Sequence, residues 1–540
     1  MLKAHCNLTA QGAISDTLDE ANGLPLPCQR LLTTLVLALM LTGCALPPMQ
    51  ERQESRSFSP VQTRETTLGN AIMPLVERHD GLSGVHLMNN PFDAFVARAL
   101  LARHAEASLD VQYYIWQPDI TGTLLLQALH KAAERGVRVR MLLDDNGING
   151  MDELLAAMNL HPNVEIRLFN PFVVRSPKWI GYLTDFGRLN HRMHNKSFTA
   201  DNQATIIGGR NIADAYFGAG EGAMFADLDA LTVGPAANLV STDFDHYWAS
   251  SFAWPAAQIL PEAPENAASW LQDRFELNRD SEAASDYVRA LEESTLLQKL
   301  TARELEFTWA PVSMVSDDPS KVLGEESQEA LMSQQLKAAL DDPRQRVTLV
   351  SPYFIPRDAG VELFRNLEEK GVEVHILTNS LEANDVAMVH AGYSKYRDPL
   401  LEAGVQLYEM RGLDVVRKKG GRFQAGLMGS SASSLHAKTF AVDGKTLFIG
   451  SFNFDPRSVN INTELGFVIE SPALAQQLET AFAERIRESA YELFLNDEGE
   501  LRWREYSAEN PIVHEKEPGT GAIKRSMVFF FSLLPIETLL

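Results

Sequence analysis

An eight-residue pattern that occurs twice constrains the fold of this chain more than any other feature. In each copy a histidine is followed two residues later by a lysine, and an aspartate ends the pattern. The shared positions, which include a later glycine and asparagine, are His194, Lys196, Asp201, Gly208 and Asn211 in the first copy and His436, Lys438, Asp443, Gly450 and Asn453 in the second, at a constant offset of 242 residues. Such a repeat indicates two copies of one folding unit.

The sequence before each copy predicts the same secondary structure. Residues 135–143 and 370–377 are similar, and each run follows an amphipathic helix that stops at a glycine and leads into an apolar strand. Further apolar runs, 109–116 and 347–355, precede these helices. Strand–helix–strand order, found twice, predicts an α/β fold with two lobes.

The histidine and lysine of each copy are suited to phosphodiester chemistry. Residues two apart in a strand face the same way, so His194 projects with Lys196, and His436 with Lys438. If the lobes pair about a pseudo-twofold axis, two imidazoles and two ammonium groups surround one phosphorus. One neutral histidine can then attack the phosphorus while the other, protonated, gives a proton to the leaving alkoxide. The lysines stabilise charge on the phosphoryl oxygens.

Other residues near the two copies are predicted to bind phosphate or to support the histidines. Those predicted to bind phosphate, through small side chains in turns or through amide donors, are Gly208, Asn211, Ser451 and Asn453. Asp201 and Asp443 end their strands in hairpin turns and are out of phase with the histidines, which predicts an indirect, turn-forming role. Asp227 and Glu464 lie downstream of the two copies and are predicted to orient the imidazoles.

Composition limits the cofactors and partners that we expect. The three cysteines, Cys6, Cys28 and Cys44, all lie in the first tenth of the chain, so a structural disulfide or cysteine metal site is not expected in the rest. The two-histidine chemistry requires no metal, and no cofactor is predicted. A net charge of −23 disfavours a protein that wraps nucleic acid, because such binding needs clustered lysine and arginine.

The N-terminus predicts a bacterial lipoprotein leader. An apolar run at 31–43 follows Arg30; it is too short to span a bilayer but suits the core of a signal peptide. Residues 41–44, Leu-Thr-Gly-Cys, resemble the lipobox, in which the cysteine becomes the lipidated first residue of the mature protein. We therefore expect lipidation at Cys44 and a location in the bacterial cell envelope, facing the periplasm, on the inner or the outer membrane. The alternative is a buried helix with an incidental cysteine.

The duplicated pattern resembles that of the phospholipase D superfamily, and the chain is similar to its bacterial cardiolipin synthase C branch. The similar segments are 110–116, 143–146, 168–172, 378–381, 384–387 and 450–458. The resemblance implies two lobes, each a mixed β-sheet flanked by helices, with one shared active site. It implies transfer of a phosphatidyl group through a phosphohistidine to phosphatidylglycerol, with phosphatidylglycerol or phosphatidylethanolamine as the donor. It also favours His194 as the nucleophile.

The resemblance and the leader together divide the chain. The predicted parts are a signal peptide at 1–43, a polar tether at 44–80, the first phospholipase D-type lobe at 81–254, a helical connector at 255–303, the second lobe at 304–495 and a C-terminal tail at 496–540. In the tail, Lys524 and Arg525 precede an apolar stretch, which predicts either a segment in the membrane interface or a helix docked on the core. The basic segment Arg417–Arg422 is interpreted as a headgroup contact or as a solvated loop.

Two other activities would use the same catalytic residues. A phospholipase D hydrolase would take water as the acceptor and release phosphatidic acid. A nucleic-acid phosphodiesterase would need a basic cleft, which the acidic composition and the lipid-anchor signal disfavour.

Overall fold

The computed structural model describes residues 46–49, 52–219, 224–302, 304–324, 327–340, 342–384, 386–412, 433–507 and 510–534. The predicted signal peptide, the lipidation site Cys44 and the basic segment Arg417–Arg422 lie outside these residues.

The chain divides into two units. The smaller one comprises Met1–Gln50 and Phe172–Phe186. Its described part contains the helix Trp179–Thr184, and the rings of Phe172 and Tyr182 pack edge to face. The larger unit comprises Glu51–Pro171 and Gly187–Leu540 and contains both copies of the repeated pattern.

The described residues form twenty-one strands and nineteen α-helices. The strands are β1 (Ser83–Met88), β2 (Ser108–Ile115), β3 (Arg138–Gly147), β4 (Val164–Phe169), β5 (Ser197–Ala200), β6 (Ala204–Gly208), β7 (Met224–Ala226), β8 (Asp229–Val233), β9 (Ala253–Pro255), β10 (Thr308–Ala310), β11 (Val312–Ser316), β12 (Arg346–Val350), β13 (Glu373–Asn379), β14 (Gln406–Met410), β15 (Ser433–Leu435), β16 (Thr439–Val442), β17 (Thr446–Gly450), β18 (Leu465–Glu470), β19 (Ala490–Leu495), β20 (Leu501–Glu505) and β21 (Ile512–His514). The helices are α1 (Thr67–Val76), α2 (Pro91–His104), α3 (Ile120–Glu134), α4 (Asp152–Met158), α5 (Trp179–Thr184), α6 (Phe186–Leu189), α7 (Asp214–Phe217), α8 (Pro235–Ala249), α9 (Ala256–Ile259), α10 (Ala267–Arg279), α11 (Glu282–Glu292), α12 (Thr295–Ala302), α13 (Met332–Ala339), α14 (Arg357–Glu369), α15 (Ala387–Ser394), α16 (Arg397–Glu402), α17 (Pro456–Asn460), α18 (Pro472–Ser489) and α19 (Ala522–Ser532).

The two lobes of the larger unit have sheets of the same topology, which confirms the predicted α/β fold. In the described residues the first sheet has the order β10-β1-β8-β6-β5-β2-β3-β4-β9. The second has the order β11-β18-β17-β16-β12-β13-β14-β19-β20-β21, so eight consecutive strands correspond, from β1 to β9 in the first sheet and from β11 to β19 in the second. Three neighbouring strands are parallel in each sheet: β2, β3 and β4 in the first, and β12, β13 and β14 in the second. The first strand of the hairpin that follows each histidine, β5 or β16, pairs antiparallel with β2 or β12. Both sheets are therefore mixed.

Apolar residues of both lobes form a shared cluster, in addition to the clusters within each lobe. Ile207 and Ala230 of the first sheet belong to the same buried cluster as Ile449 and Phe467 of the second. The chain passes from one sheet to the other at Pro311, between β10 and β11. Burial of this common apolar surface holds the two hairpins together and makes one shared site possible.

The aspartates of the repeated pattern form equivalent turns. Asp201 and Asp443 both adopt a left-handed conformation, with φ of 52° and 53°. The Asp201 carboxylate accepts hydrogen bonds from the backbone N–H groups of residues 106–108. The Asp443 carboxylate does the same for residues 344–346. Each aspartate thus attaches its hairpin to the start of the neighbouring parallel strand.

The structure differs from the predicted polar tether at 44–80, because residues from 52 onward are packed on the first lobe. The Arg52 guanidinium donates to the carbonyl oxygens of Ser250 and Ala253 at 2.6 and 2.9 Å. The buried Arg167 donates to the Gln53 carbonyl at 2.9 Å. A buried guanidinium requires hydrogen-bond acceptors, and this segment supplies them, so a polar composition here does not produce a free linker.

The predicted connector and tail also contain regular structure. Helices α9 to α12 lie in the connector, and β20 and β21 of the tail extend the second sheet. Helix α19 packs on α15. Over the part of the chain that the structure describes, no helix combines the length and apolarity needed to cross a membrane.

Candidate active site

The segment that carries each histidine pairs with a segment of the opposite lobe. The backbone N–H of His194 donates to the Thr463 carbonyl at 2.9 Å, and the N–H of Thr463 donates to the Arg192 carbonyl at 3.0 Å. In the other half, β15 pairs in parallel with β7, and the N–H of His436 donates to the Ala226 carbonyl at 2.8 Å. These pairings place each histidine beside a buried carboxylate of the other lobe.

Each carboxylate orients the histidine of the opposite lobe. The Nδ1 atom of His194 lies 2.8 Å from Oε2 of Glu464, and Nδ1 of His436 lies 2.6 Å from Oδ2 of Asp227. A carboxylate at Nδ1 selects the tautomer whose Nε2 carries the free lone pair. The structure thus brings together the histidines and carboxylates that the sequence predicts, in a crossed arrangement.

The lysines lie beside the histidines and are buried. The Nζ atom of Lys196 donates to the His194 carbonyl and lies 5.7 Å from the ring centre of Tyr114. The Nζ atom of Lys438 lies 3.1 Å from Nδ1 of His436. The two histidines and two lysines were predicted to lie within strands, but they precede β5 and β16. At this point their segments pair with the opposite lobe instead of with their own sheet.

Burial and the lysines keep the histidines neutral. Burial, followed by the charges of Lys196 and Lys438, lowers the pKa of His194 well below its usual value. Burial and then Lys438 lower the pKa of His436 to about 4, although Asp227 opposes this shift. Burial also lowers the pKa of Lys196 to about 7. In these surroundings both imidazoles are therefore neutral near pH 7, as a nucleophile requires.

The two carboxylates have different surroundings. The hydroxyl groups of Ser451 and Ser458 both donate to Glu464, the latter at 2.8 Å, and burial raises the pKa of Glu464 to about 7. At the equivalent positions, 242 residues earlier, the first lobe has Gly209 and Tyr216. Burial would raise the pKa of Asp227, but its hydrogen-bonded partner His436 and the charge of Lys438 outweigh burial and lower that pKa. Asp227 is thus the more fully ionised partner.

The glycines of the pattern allow the carboxylate strands to approach closely. A Cβ atom on Gly209 would lie 2.3 Å from a carboxylate oxygen of Asp227. A Cβ on Gly208 would lie 2.2 Å from Oδ1 of Asp229, and one on Gly450 would lie 2.4 Å from the Leu465 carbonyl. Contact with the neighbouring strand accounts for glycine at these positions, so an approaching anion is not needed to explain them.

The two predicted amide donors are used differently. The Asn211 side chain accepts from the N–H of Ile115 at 3.1 Å and donates to the Tyr216 hydroxyl at 2.9 Å. The Tyr216 ring packs edge to face on His436, with 5.0 Å between ring centres, so Asn211 positions this ring. The Oδ1 atom of Asn453 is buried and has no hydrogen-bond partner among the described residues.

Sequence reasoning missed several residues that hold His194. The Asp144 carboxylate accepts from the N–H of Met193 at 2.8 Å and forms an ion pair with Arg192 at 3.2 Å. The Tyr114 ring packs on the imidazole of His194 with 5.1 Å between ring centres. One feature of the sequence could have indicated Asp144: two consecutive aspartates, Asp144 and Asp145, follow the apolar part of a buried strand.

Comparisons with known proteins identify similar chains. A family model described as "Cardiolipin synthase, PLD-like domain" matches residues 100–248 and 336–486, one segment for each copy of the pattern. The chain is 46% identical to cardiolipin synthase C of Escherichia coli (strain K12) over 88% of this chain and 99% of that protein. It is 25% identical to cardiolipin synthase A of Yersinia pseudotuberculosis over 78% of this chain and 74% of that one. The solved structure of phosphatidylserine synthase from Haemophilus influenzae Rd KW20 shares the fold, with a TM-score of 0.55 and 13% identity over 87% of this chain and all of that one.

Proposed function

This chain belongs to the cardiolipin synthase family of phospholipase D-like proteins, and we propose that it transfers a phosphatidyl group from one phospholipid to phosphatidylglycerol, forming cardiolipin. The observation that carries the proposal is the pair of histidines, each held at Nδ1 by a buried carboxylate of the opposite lobe. The similarity to cardiolipin synthase C over most of the chain supports the choice of lipid substrates.

The different carboxylates favour His194 as the nucleophile. Glu464 shares its charge with two serine hydroxyl groups, whereas Asp227 accepts from the backbone N–H of Leu228 and, among the described residues, from no hydroxyl group. His436 therefore has the partner that better stabilises an imidazolium. A bound phosphodiester also carries a negative charge, which offsets the lysines and raises the pKa of both histidines. His436 can then hold the proton that the leaving group needs.

The reaction proceeds in two steps. In the first, Nε2 of His194 forms a bond to phosphorus, the bond from phosphorus to the leaving alkoxide breaks, and His436 gives the alkoxide its proton. In the second, neutral His436 removes a proton from a glycerol hydroxyl of phosphatidylglycerol, whose oxygen attacks phosphorus and releases His194. Lys196 and Lys438 stabilise the charge on the phosphoryl oxygens in both steps.

Purified protein in mixed micelles of phosphatidylglycerol and phosphatidylethanolamine tests whether the acceptor is phosphatidylglycerol or water. We expect cardiolipin as the main product, measured by mass spectrometry. Micelles of phosphatidylglycerol alone distinguish the two possible donors. Phosphatidic acid without cardiolipin would contradict transfer and identify a hydrolase that uses the same residues.

We also propose that the mature protein is a lipoprotein of the bacterial cell envelope that faces the periplasm. The lipobox-like residues 41–44 support this proposal. Replacing Cys44 with alanine should release only part of the protein from membranes, because the substrate-binding surface still contacts lipid. Fractionation of cells followed by immunoblotting measures the released share. An unchanged distribution would contradict a lipid anchor at this cysteine.

A further inference from the structure

Helix α19 contacts the second lobe through one face only. Val528 is 6% exposed and packs with Leu381 and Ala391, and Phe531 packs against the same cluster. Leu381 follows β13, and Ala391 lies in α15. This small apolar contact sets the rotation of α19 about its own axis, and so determines which residues face outward.

A buried ion network fixes the chain just before α19. The Glu517 carboxylate accepts a hydrogen bond from Arg397 at 2.6 Å and lies 3.2 Å from Nε2 of His390. Arg397 also donates to Glu409 at 2.7 Å. Burial opposes ionisation of Glu517, but Arg397 outweighs it and holds the pKa of this carboxyl far below its usual value. Beyond β21, the chain is therefore held by charge at Glu517 and by apolar packing at Val528.

The outward face of α19 is apolar. Ile523 is 83% exposed, and Met527 and Phe530 follow it at helical spacing with exposures of 47% and 60%. Phe529 and Leu533 extend the patch. Contiguous exposed apolar residues mark an interaction site, whereas single ones are common on any surface.

Positive charge lies at the start of this helix, where two basic side chains are half-buried on either side of the docked face. Lys524 and Arg525 are in the first turn of α19, and residues 518–534 contain no acidic residue. This is unusual in a chain with a net charge of −23. An apolar helix face beside basic residues is typical of helices that lie in the interface of an anionic bilayer.

The helix lies at the same edge of the second sheet as the catalytic residues. Leu381, which α19 contacts, is two residues beyond Asn379, the last residue of β13. The Asn379 side chain exchanges two hydrogen bonds with the backbone of Leu435, at 2.9 and 3.0 Å. Leu435 is the neighbour of His436. A surface that binds α19 is thus held close to the catalytic centre.

We propose that the exposed face of α19 is a membrane-docking surface, which lies in the headgroup region of an anionic phospholipid bilayer and holds the active-site edge against it. The apolar side chains enter the acyl boundary, and the positive charge of Lys524 and Arg525 at the start of the helix attracts anionic headgroups. A second copy of the chain would bring the same two positive charges to the contact, which disfavours self-association through this face. This proposal depends on the proposed function in one respect: the substrates of phosphatidyl transfer are lipids of a bilayer.

The test uses the full chain with Cys44→Ala, so that no lipid anchor masks the effect, and adds Ile523→Ser with Phe530→Ser. Co-sedimentation with vesicles that contain equal amounts of phosphatidylglycerol and phosphatidylcholine should show that the vesicle affinity of the double variant falls to about a tenth or less of the parent value. The reason is that two apolar side chains no longer enter the membrane. The matched control is Leu277→Ser, since Leu277 is 70% exposed on α10 and should not change binding. Vesicles of phosphatidylcholine alone should bind the parent protein more weakly.

Two further measurements separate this surface from catalysis and from self-association. Turnover of dihexanoyl phosphatidylglycerol below its micelle concentration should be unchanged in the double variant, since a dissolved substrate needs no bilayer contact. Failure of the parent protein to act on any phospholipid would refute the proposed function and leave the vesicle result valid. Unchanged vesicle affinity in the double variant would overturn the docking surface, as would a dimer, seen by light scattering, that the two substitutions dissociate.

Discussion

His194→Ala and His436→Ala should each lower the rate of phosphatidyl transfer by roughly 10⁴-fold or more. The first variant lacks the atom that bonds to phosphorus, and the second lacks the group that moves protons in both steps. Because the two act as a unit, the double variant should be no slower than either single variant. Initial rates of cardiolipin formation in mixed micelles measure this.

A substrate with a good leaving group distinguishes the two roles. Phosphatidyl p-nitrophenol releases its phenolate without an acid, so His436→Ala should still give a burst of about one equivalent and trap a phosphatidyl group on His194. His194→Ala should give no burst. Stopped-flow absorbance records the burst, and peptide mass spectrometry locates the adduct. A burst in His194→Ala and none in His436→Ala would reverse the assignment.

Asp227→Asn should lower kcat by about 10²- to 10⁴-fold, although Asp227 and the histidine it orients belong to different lobes. The amide preserves the size of the side chain but removes the charge that stabilises protonated His436. The fold should persist, which circular dichroism and the urea midpoint measure. A kcat near that of the parent protein would show that the crossed hydrogen bond has no part in turnover.

The matched control for that substitution is Asp443→Asn, an aspartate of the repeated pattern itself. Asp443 binds three backbone N–H groups at a hairpin turn. We expect kcat to be kept and the free energy of unfolding to fall by about 0.5–1.5 kcal/mol, because a half-buried hydrogen-bond acceptor is weakened. Loss of turnover in a folded Asp443→Asn variant would instead give this aspartate a chemical role.

Local spacing in the sequence was sufficient to predict much of this protein. The constant offset between the two copies predicted two lobes, and the sheets have matching strand order. The two-residue spacing of His194 and Lys196 predicted that they act together, and they lie side by side. The odd spacing of Asp201 predicted a turn, which its left-handed backbone forms. The turn and the side-by-side placement depend on neighbouring residues, and the two lobes follow from a repeat that is visible in the sequence, so the order of residues is enough to predict all three.

Only the tertiary structure decided which carboxylate serves which histidine. Glu464 lies 270 residues from His194, and Asp227 lies 209 residues from His436, so no local period relates them. Their pairing follows from burial of an apolar surface common to both sheets, which brings the two histidine segments together at one edge. A buried imidazole requires a hydrogen-bond partner, and at that edge the partner available is the carboxylate of the other lobe.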